Sequence, residues 1–256
     1  MGTARHGDRR RRVQPRNARA APCMCLVAAM DVALAASGAL VASGRPAWQH
    51  DIGSALKRAS RDPTAKYLQL GTVSRELRPR VRTVVFRGWL WDTCTLTFVT
   101  DLRSAKADEI VHSAHGEACW YFAKARDQFR IEGSLALVSA TEADAKLARA
   151  RTAAWTNLSD GAREQFFWPT PGAPVAEQGG AEPGDGTAAP IDPRDLAALT
   201  DAGERPEPPP PSPHFALLLL KPERVDQLTL SRPQRRRFHV PDAASPTGWA
   251  ESAVNP

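Results

Sequence analysis

Arg82-Thr-Val-Val-Phe-Arg-Gly88, followed closely by Phe98-Val-Thr-Asp-Leu-Arg-Ser-Ala-Lys106, is the stretch on which the fold turns. Over residues 81–88 the side chains alternate as on a strand. Val81, Thr83 and Val85 face one way, and Arg82, Val84 and Phe86 the other. Asp92-Thr93 makes a connection, and residues 95–100 return as the partner strand of a hairpin. Ser104 then opens a helix running to about Ser113, with Ile110 and Val111 turned inward. A helix start presents unpaired N–H groups and the positive end of the backbone dipole, and so attracts phosphate. Ser104 supplies a hydroxyl there, and Arg103 and Lys106 supply charge on either side. Arg82 and Arg87 can close on the same anion from the preceding strand through paired hydrogen bonds. Cations at a helix start do not help the helix itself, which favours a bound anion over the alternative of a solvated basic surface.

Working outward, residues 48, 52 and 56 (Trp, Ile, Leu) mark one face of a short helix that opens at Pro46. Residues 67–73 read as a strand, and turn chemistry surrounds Pro79. Strands follow at 118–123 and 128–139. In Trp120-Tyr121-Phe122 core packing is the default over a stacking role. Thr141-x-x-Asp144 resembles a capping pair for an alanine-rich helix to about Trp155. Ser159 or Asp160 caps another helix ending at Phe167, stopped by Trp168-Pro-Thr-Pro-Gly172. Beyond Pro213 lie strands at 215–220, 225–230, 235–240 and about 248–254. The count is seven or eight mostly antiparallel strands with a few short helices, a mainly β protein whose sheet makes a closed or split barrel.

The chain has 256 residues, 42% of them hydrophobic, enough for one good core or two small ones. Its net charge of +6 is local: residues 1–20 hold seven arginines and one acid, while the remainder balances 27 basic against 27 acidic side chains. A nucleic-acid-binding body carries its excess on a folded face, and this body has none to carry. Cys23, Cys25, Cys94 and Cys119 have neither a disulfide framework nor zinc-ligand spacing. Residues 1–45 form an extension whose Arg/Ala composition fits an organelle transit peptide, placing the protein in a chloroplast or other organelle. The alternative is an extension without structure, or translation from Met30, and a cytoplasmic protein. The apolar run at 23–44 has Asp31 at its middle and too few leucines to drive membrane insertion. Residues 46–172 are the core, 173–213 a low-complexity Pro/Gly/acidic spacer, and 214–256 the strands that complete the barrel. His112 and His115 fall near a helix C-terminus, where cationic side chains are common.

The body resembles the pyridoxamine 5′-phosphate oxidase superfamily, in its plant and cyanobacterial FMN-binding branch. Besides the two stretches above, the resemblance rests on Glu117-Ala-Cys-Trp-Tyr-Phe, Gln128-Phe-Arg-Ile-Glu-Gly, Gln165-Phe-Phe-Trp-Pro-Thr-Pro-Gly and Leu217-Leu-Leu-Leu-Lys-Pro-Glu-Arg-Val-Asp, in the family's order. It implies a split β-barrel homodimer with FMN at the subunit interface. It also implies an oxidoreductase taking a hydride from pyridoxamine or pyridoxine 5′-phosphate, with oxygen reoxidising the flavin. The alternatives are an FMN-dependent reductase of another small molecule and a flavin carrier without turnover. By the same resemblance, Arg82, Thr83, Val84 and Val85 contact FMN, as do Val99, Thr100, Lys106, Gln128 and Arg237. Arg87 meets the substrate phosphate. The chain also departs from the oxidases. Ala105 stands where an arginine is usual, leaving Arg103 or Ser104 its phosphate contact. Leu230 stands for a tryptophan, Lys146 for the substrate tyrosine, and the Arg-x-His signature before the last arginine is absent.

Overall fold

The computed structural model describes residues 44–174 and 209–256. The expectations for a targeting segment and for Cys23 and Cys25 fall on residues 1–43. The spacer falls mostly on residues 175–208. Both lie outside the described residues. Among the described residues no helix is long and apolar enough to cross a membrane.

Nine strands form one antiparallel sheet, more than the seven or eight expected. In chain order the elements are α1 (Ala47–Arg58), β1 (Tyr67–Val73), β2 (Pro79–Val85), β3 (Gly88–Trp89), β4 (Leu96–Asp101), α2 (Ala105–His112), β5 (His115–Phe122) and β6 (Asp127–Val138). Then come α3 (Ala145–Thr156), α4 (Asp160–Glu164), β7 (Phe215–Thr229), β8 (Arg235–Pro241) and β9 (Trp249–Val254). The strand order is β2-β1-β5-β6-β7-β4-β3, with β8 and β9 added beside the second half of β7. The sheet is therefore a split barrel, and it does not close.

The split is made by the opening stretch. Residues 81–88 do not form one strand paired with 95–100. β2 pairs with β1, Val85 opposite Tyr67, and only Gly88 and Trp89 pair with β4. The change of partner takes two residues: the Phe86 amide donates to Lys66 O at 2.8 Å and the Arg87 amide to Thr97 O at 2.8 Å. Gly88 makes it possible, because its φ of 134° is open to glycine and strained for other residues. Past this crossing β2 and β4 diverge, and α2 follows β4 directly.

β7 is one strand of 15 residues rather than two. Pro222 lies between the two expected strands, and the ladder absorbs it in a bulge: Glu132 faces Arg224 and Gly133 faces Pro222, leaving Glu223 over. Gly133 is required by close approach, since a Cβ there would sit 2.0 Å from Lys221 O. Helix ends differ in two details. Asp144, not Thr141, caps α3 by accepting from the Lys146 and Leu147 amides. Ile110 is buried as expected, but Val111 is 73% exposed, because α2 is short and rests only one face on the sheet.

The core lies between the inner face of the sheet and α1 and α2. An aromatic file runs through it from Trp249 to Trp48, Trp89, Phe86, Trp120, Phe122 and Phe129, with successive ring centroids 4.9–6.0 Å apart in edge-on or tilted contact. Each fully buried ring of this kind contributes about 1.5–3 kcal/mol over an exposed one. Tyr121 turns outward between the buried Trp120 and Phe122, as strand alternation requires. α3 covers the outer face over β4, β6 and the first half of β7, against Leu90, Val138, Leu217 and Leu219. The rest of the outer face exposes Tyr67, Val81 and Tyr121.

Candidate functional site

Arg82 leaves β2 on the inner face, opposite Leu70. Its guanidinium donates to Leu70 O at 3.2 Å, to the Thr72 hydroxyl, and to Glu109 Oε2 at 2.6 Å. Glu109 is buried on α2 and also accepts from Thr72 Oγ1 at 2.6 Å. One turn earlier on the same helix, Lys106 donates to the Thr100 hydroxyl, and its Nζ lies 3.4 Å from Ser104 Oγ. Ser104 is the N-cap position, and its hydroxyl donates to Asp101 O at 2.7 Å rather than to the helix. The divergence of β2 and β4 thus fills with two cations, two hydroxyls and a helix N-terminus.

The electrostatics of this cradle are unbalanced. Glu109 offsets Arg82, and among the described residues no carboxylate reaches Lys106 within ion-pair distance. Burial first, and the neighbouring Arg82 charge second, push the Lys106 ammonium down to about 8. A mononucleotide phosphate answers both causes at once: it replaces lost solvent as a hydrogen-bond acceptor and cancels the repulsion between the cations. The donor set fits that group.

The other residues singled out from the sequence are distributed around the cradle. Thr83 and Val85 point to the outer face, and Val84 is in the core at 7% exposure. Val99 packs against the Trp155, Phe166 and Phe215 cluster. Arg103 is committed elsewhere: it grips Asp101 with both ends, at 3.0 and 2.6 Å, and donates to the carbonyls of Trp168 and Phe166. It therefore anchors the turn after α4. Gln128 lies on β6 in register with Tyr121, three strands from Arg82 and on the outer face. Arg237 is on β8, five strands from Arg82, paired with Asp51 at 2.9 Å and Glu251 at 3.3 Å. One chain does not bring Gln128 or Arg237 to the cradle.

Arg87 lies five residues beyond Arg82, on the far side of the crossing. It stands at the mouth of an open cavity of ≈ 350 Å³ between α3 and the loop after β3. Packed protein pushes its guanidinium pKa down although part of it meets solvent. Lys66, Trp89, Trp91, Thr97 and Asn157 share the lining, and among the described residues no carboxylate or histidine does. The sequence reading missed Glu109, Thr72 and Lys66. Glu109 had a signal: it sits at i+3 from Lys106, hence on the same helix face.

An inward arginine, a helix-start lysine and paired hydroxyls in the gap of a split barrel make a phosphate cradle of the kind a mononucleotide-binding domain needs. The family profile "Pyridoxamine 5′-phosphate oxidase, FMN-binding domain" matches residues 45–139. The chain is 34% identical over 212 residues to pyridoxine/pyridoxamine 5′-phosphate oxidase 2 of Arabidopsis thaliana, covering 82% of this chain and 96% of that one. It is 28% identical over 202 residues to the pyridoxine/pyridoxamine 5′-phosphate oxidase of Rhodospirillum rubrum, 76% and 87% of the two chains. Among solved structures, a pyridoxamine 5′-phosphate oxidase-related, FMN-binding protein of Nostoc punctiforme superposes with a TM-score of 0.66 at 40% identity, over 83% of this chain and all of that one. This chain belongs to the pyridoxamine 5′-phosphate oxidase family, and FMN is the cofactor of the domain it carries.

Proposed function

We propose that the protein is an FMN-dependent oxidoreductase that works as a homodimer on a phosphorylated B6 vitamer, pyridoxamine or pyridoxine 5′-phosphate. The observation that carries the reading is the pairing of Arg82 with Lys106, whose ammonium is desolvated and lacks a carboxylate partner among the described residues. The names of the relatives support the substrate. Bound FMN supplies a ring that accepts a hydride equivalent, chemistry no side chain offers. Arg82, Lys106, Thr100 and Ser104 hold the phosphate, and Glu109 fixes the Arg82 guanidinium so that it meets the anion in one orientation. Arg87, just beyond the crossing from β2 to β3, clamps the substrate anion at the cavity mouth. Among the described residues the cavity lining contains no side chain suited to act as a general base, and the contribution of these residues is placement and partial exclusion of water.

The homodimer is supported by the two residues that the chain leaves remote. Gln128 is on the outer sheet face, next to the exposed Tyr121 and Tyr67, and a second copy docked there can supply what a single chain does not. A second reading, an FMN-dependent reductase of another small molecule, is favoured by the α3 wall of the cavity, where Ala150, Ala153 and Ala154 offer a phosphate ester no donor. Holo-protein incubated with pyridoxamine 5′-phosphate should yield pyridoxal 5′-phosphate and hydrogen peroxide. Retained flavin with no product would refute the B6 reading and leave the reductase.

A further inference from the structure

The aromatic file of the core meets the cavity at Trp89, which lines it together with Phe86. Behind Trp89 stands Trp48 of α1, with ring centroids 5.8 Å apart, and behind Trp48 stands Trp249 of β9 at 5.3 Å. Trp48 is fully buried, whereas Trp89 and Trp249 are half-buried. Three indoles in edge contact therefore run from the cavity, through the core, to solvent at β9. Packing explains the contacts but not the polar atom in the middle one. A buried tryptophan ordinarily bonds its N–H. Trp120 donates to Ala65 O at 2.9 Å and Trp155 to Pro209 O at 2.7 Å. Trp48 Nε1 is buried with no hydrogen-bond partner among the described residues. A buried donor left unpaired is costly and needs a reason, and a redox role is among those that supply one.

An indole that loses one electron becomes a strong acid, and a bonded acceptor takes its N–H proton and traps the hole on that ring. Trp48 has no such acceptor, so the proton stays and the hole passes on. Solvation sets its direction, because a cation is costly in the apolar core around Trp48 and less so at the half-exposed Trp249. Cys94, beside Trp249, does not intercept it as a thiolate, since burial pushes its thiol up to about 11. Trp91 also lines the cavity, on a backbone with φ 51°, but the Lys146 ammonium lies 4.0 Å from its ring centroid and opposes a second cation there. We propose that Trp89, Trp48 and Trp249 form an electron-transfer path that reduces light-excited FMN at the cavity with electrons from a thiol-class reductant at the surface. The excited flavin takes one electron from Trp89. Trp48 restores Trp89, Trp249 restores Trp48, and a thiol in solution restores Trp249. Two such turns add two electrons and two protons to the flavin and convert two thiols to one disulfide. The proposal rests on the flavin reading and on no particular substrate.

The test uses the full chain loaded with FMN, without oxygen or substrate, in dithiothreitol under blue light. Two signals are followed: the transient absorbance of a tryptophan radical after a laser flash, and loss of the visible flavin band under steady light. The parent should show both. Trp48→Phe keeps an aromatic ring but removes the oxidisable indole, and should lose the long-lived radical and bleach more slowly. Trp249→Phe should do the same from a half-exposed position that the fold tolerates. Trp155→Phe removes an equally buried tryptophan outside the file and should leave both signals unchanged. FMN affinity, read by flavin fluorescence in the dark, should match the parent in all three. Radical lifetime and bleaching unchanged in Trp48→Phe and Trp249→Phe, or no radical in the parent, would overturn the path and leave FMN binding standing. A parent that binds no FMN would overturn the flavin reading and the path together. Photoreduction through the file in a protein that does not convert pyridoxamine 5′-phosphate would sink the B6 reading and spare the path.

Discussion

Replacing Lys106 with methionine should move two properties in opposite directions. In the protein without flavin, Lys106 is a buried ammonium beside Arg82, held down to about 8. The unfolded chain keeps the ordinary lysine value of 10.5. Between those values the unfolded state binds more protons, so the free energy of unfolding rises with pH across that window. Below about pH 8 the penalty is present in full; above 10.5 it is gone. The gap corresponds to a penalty of about 3 kcal/mol at neutral pH. Methionine keeps the unbranched stem and removes the charge. Flavin-free Lys106→Met should therefore melt higher than the parent at pH 7, by roughly 6–12 °C at 2–4 °C per kcal/mol. The two curves should converge as pH climbs from about 8 towards 10.5. FMN binding should go the other way. A charge-assisted hydrogen bond contributes about 1.5–3 kcal/mol, so the variant should bind FMN about 10- to 100-fold more weakly. The parent should lose affinity above about pH 8 as Lys106 deprotonates, while the variant stays flat. Scanning fluorimetry across pH and a flavin-fluorescence titration read the two effects. A variant that melts lower at pH 7, or binds FMN as tightly as the parent, would refute the reasoning.

Arg82→Ala strips the buried Glu109 of its cation and should destabilise the fold by about 3–5 kcal/mol, seen as a lower denaturant midpoint, together with loss of FMN binding. The double variant Arg82→Leu with Glu109→Leu should regain stability but not flavin, which separates the two roles of Arg82. Arg103→Ala should lower stability by about 1–3 kcal/mol through the freed Asp101 and the unpinned turn at Phe166 and Trp168, with a smaller effect on FMN affinity than Lys106→Met. Gly133→Ala forces a Cβ onto Lys221 O and should cost about 3 kcal/mol or more by thermal melting. Tyr121→Glu on the exposed sheet face should shift the sedimentation coefficient from dimer to monomer while leaving far-ultraviolet circular dichroism unchanged.

Local chemistry made much of this fold legible. Alternation gave the burial of Val84 and Phe86 against exposed Val81, Pro46 marked the start of α1, and Trp168-Pro-Thr-Pro-Gly172 marked the end of the segment after α4. What escaped was non-local. Nothing in Arg82-Thr-Val-Val-Phe-Arg-Gly88 announces that hydrogen bonding moves from β1 to β4 between Phe86 and Arg87, because both halves look like the same strand. The strands expected at 215–220 and 225–230 are one, because a bulge at Glu132 and Gly133 makes room for Pro222, whose missing donor a regular ladder would not tolerate. In the site, charges at a helix start pointed to the anion cradle, and Lys106, Thr100 and Ser104 meet there with Arg82. Arg103 looked equivalent to them, yet Asp101, two residues before it, holds it away from the gap. Glu109 went unnoticed because an acid inside a phosphate site reads as repulsive until its task of orienting Arg82 is visible. Trp91 was silent for a different reason: its backbone strain is a property of the loop, and no residue type encodes it.

The measurement that bears most directly on the account is titration of the purified full chain with FMN, following flavin fluorescence and the visible absorbance of the bound fraction. Binding of one FMN per chain, lost in Arg82→Ala and weakened in Lys106→Met, is the expected result. A colourless protein that leaves added FMN unbound would contradict the central claim.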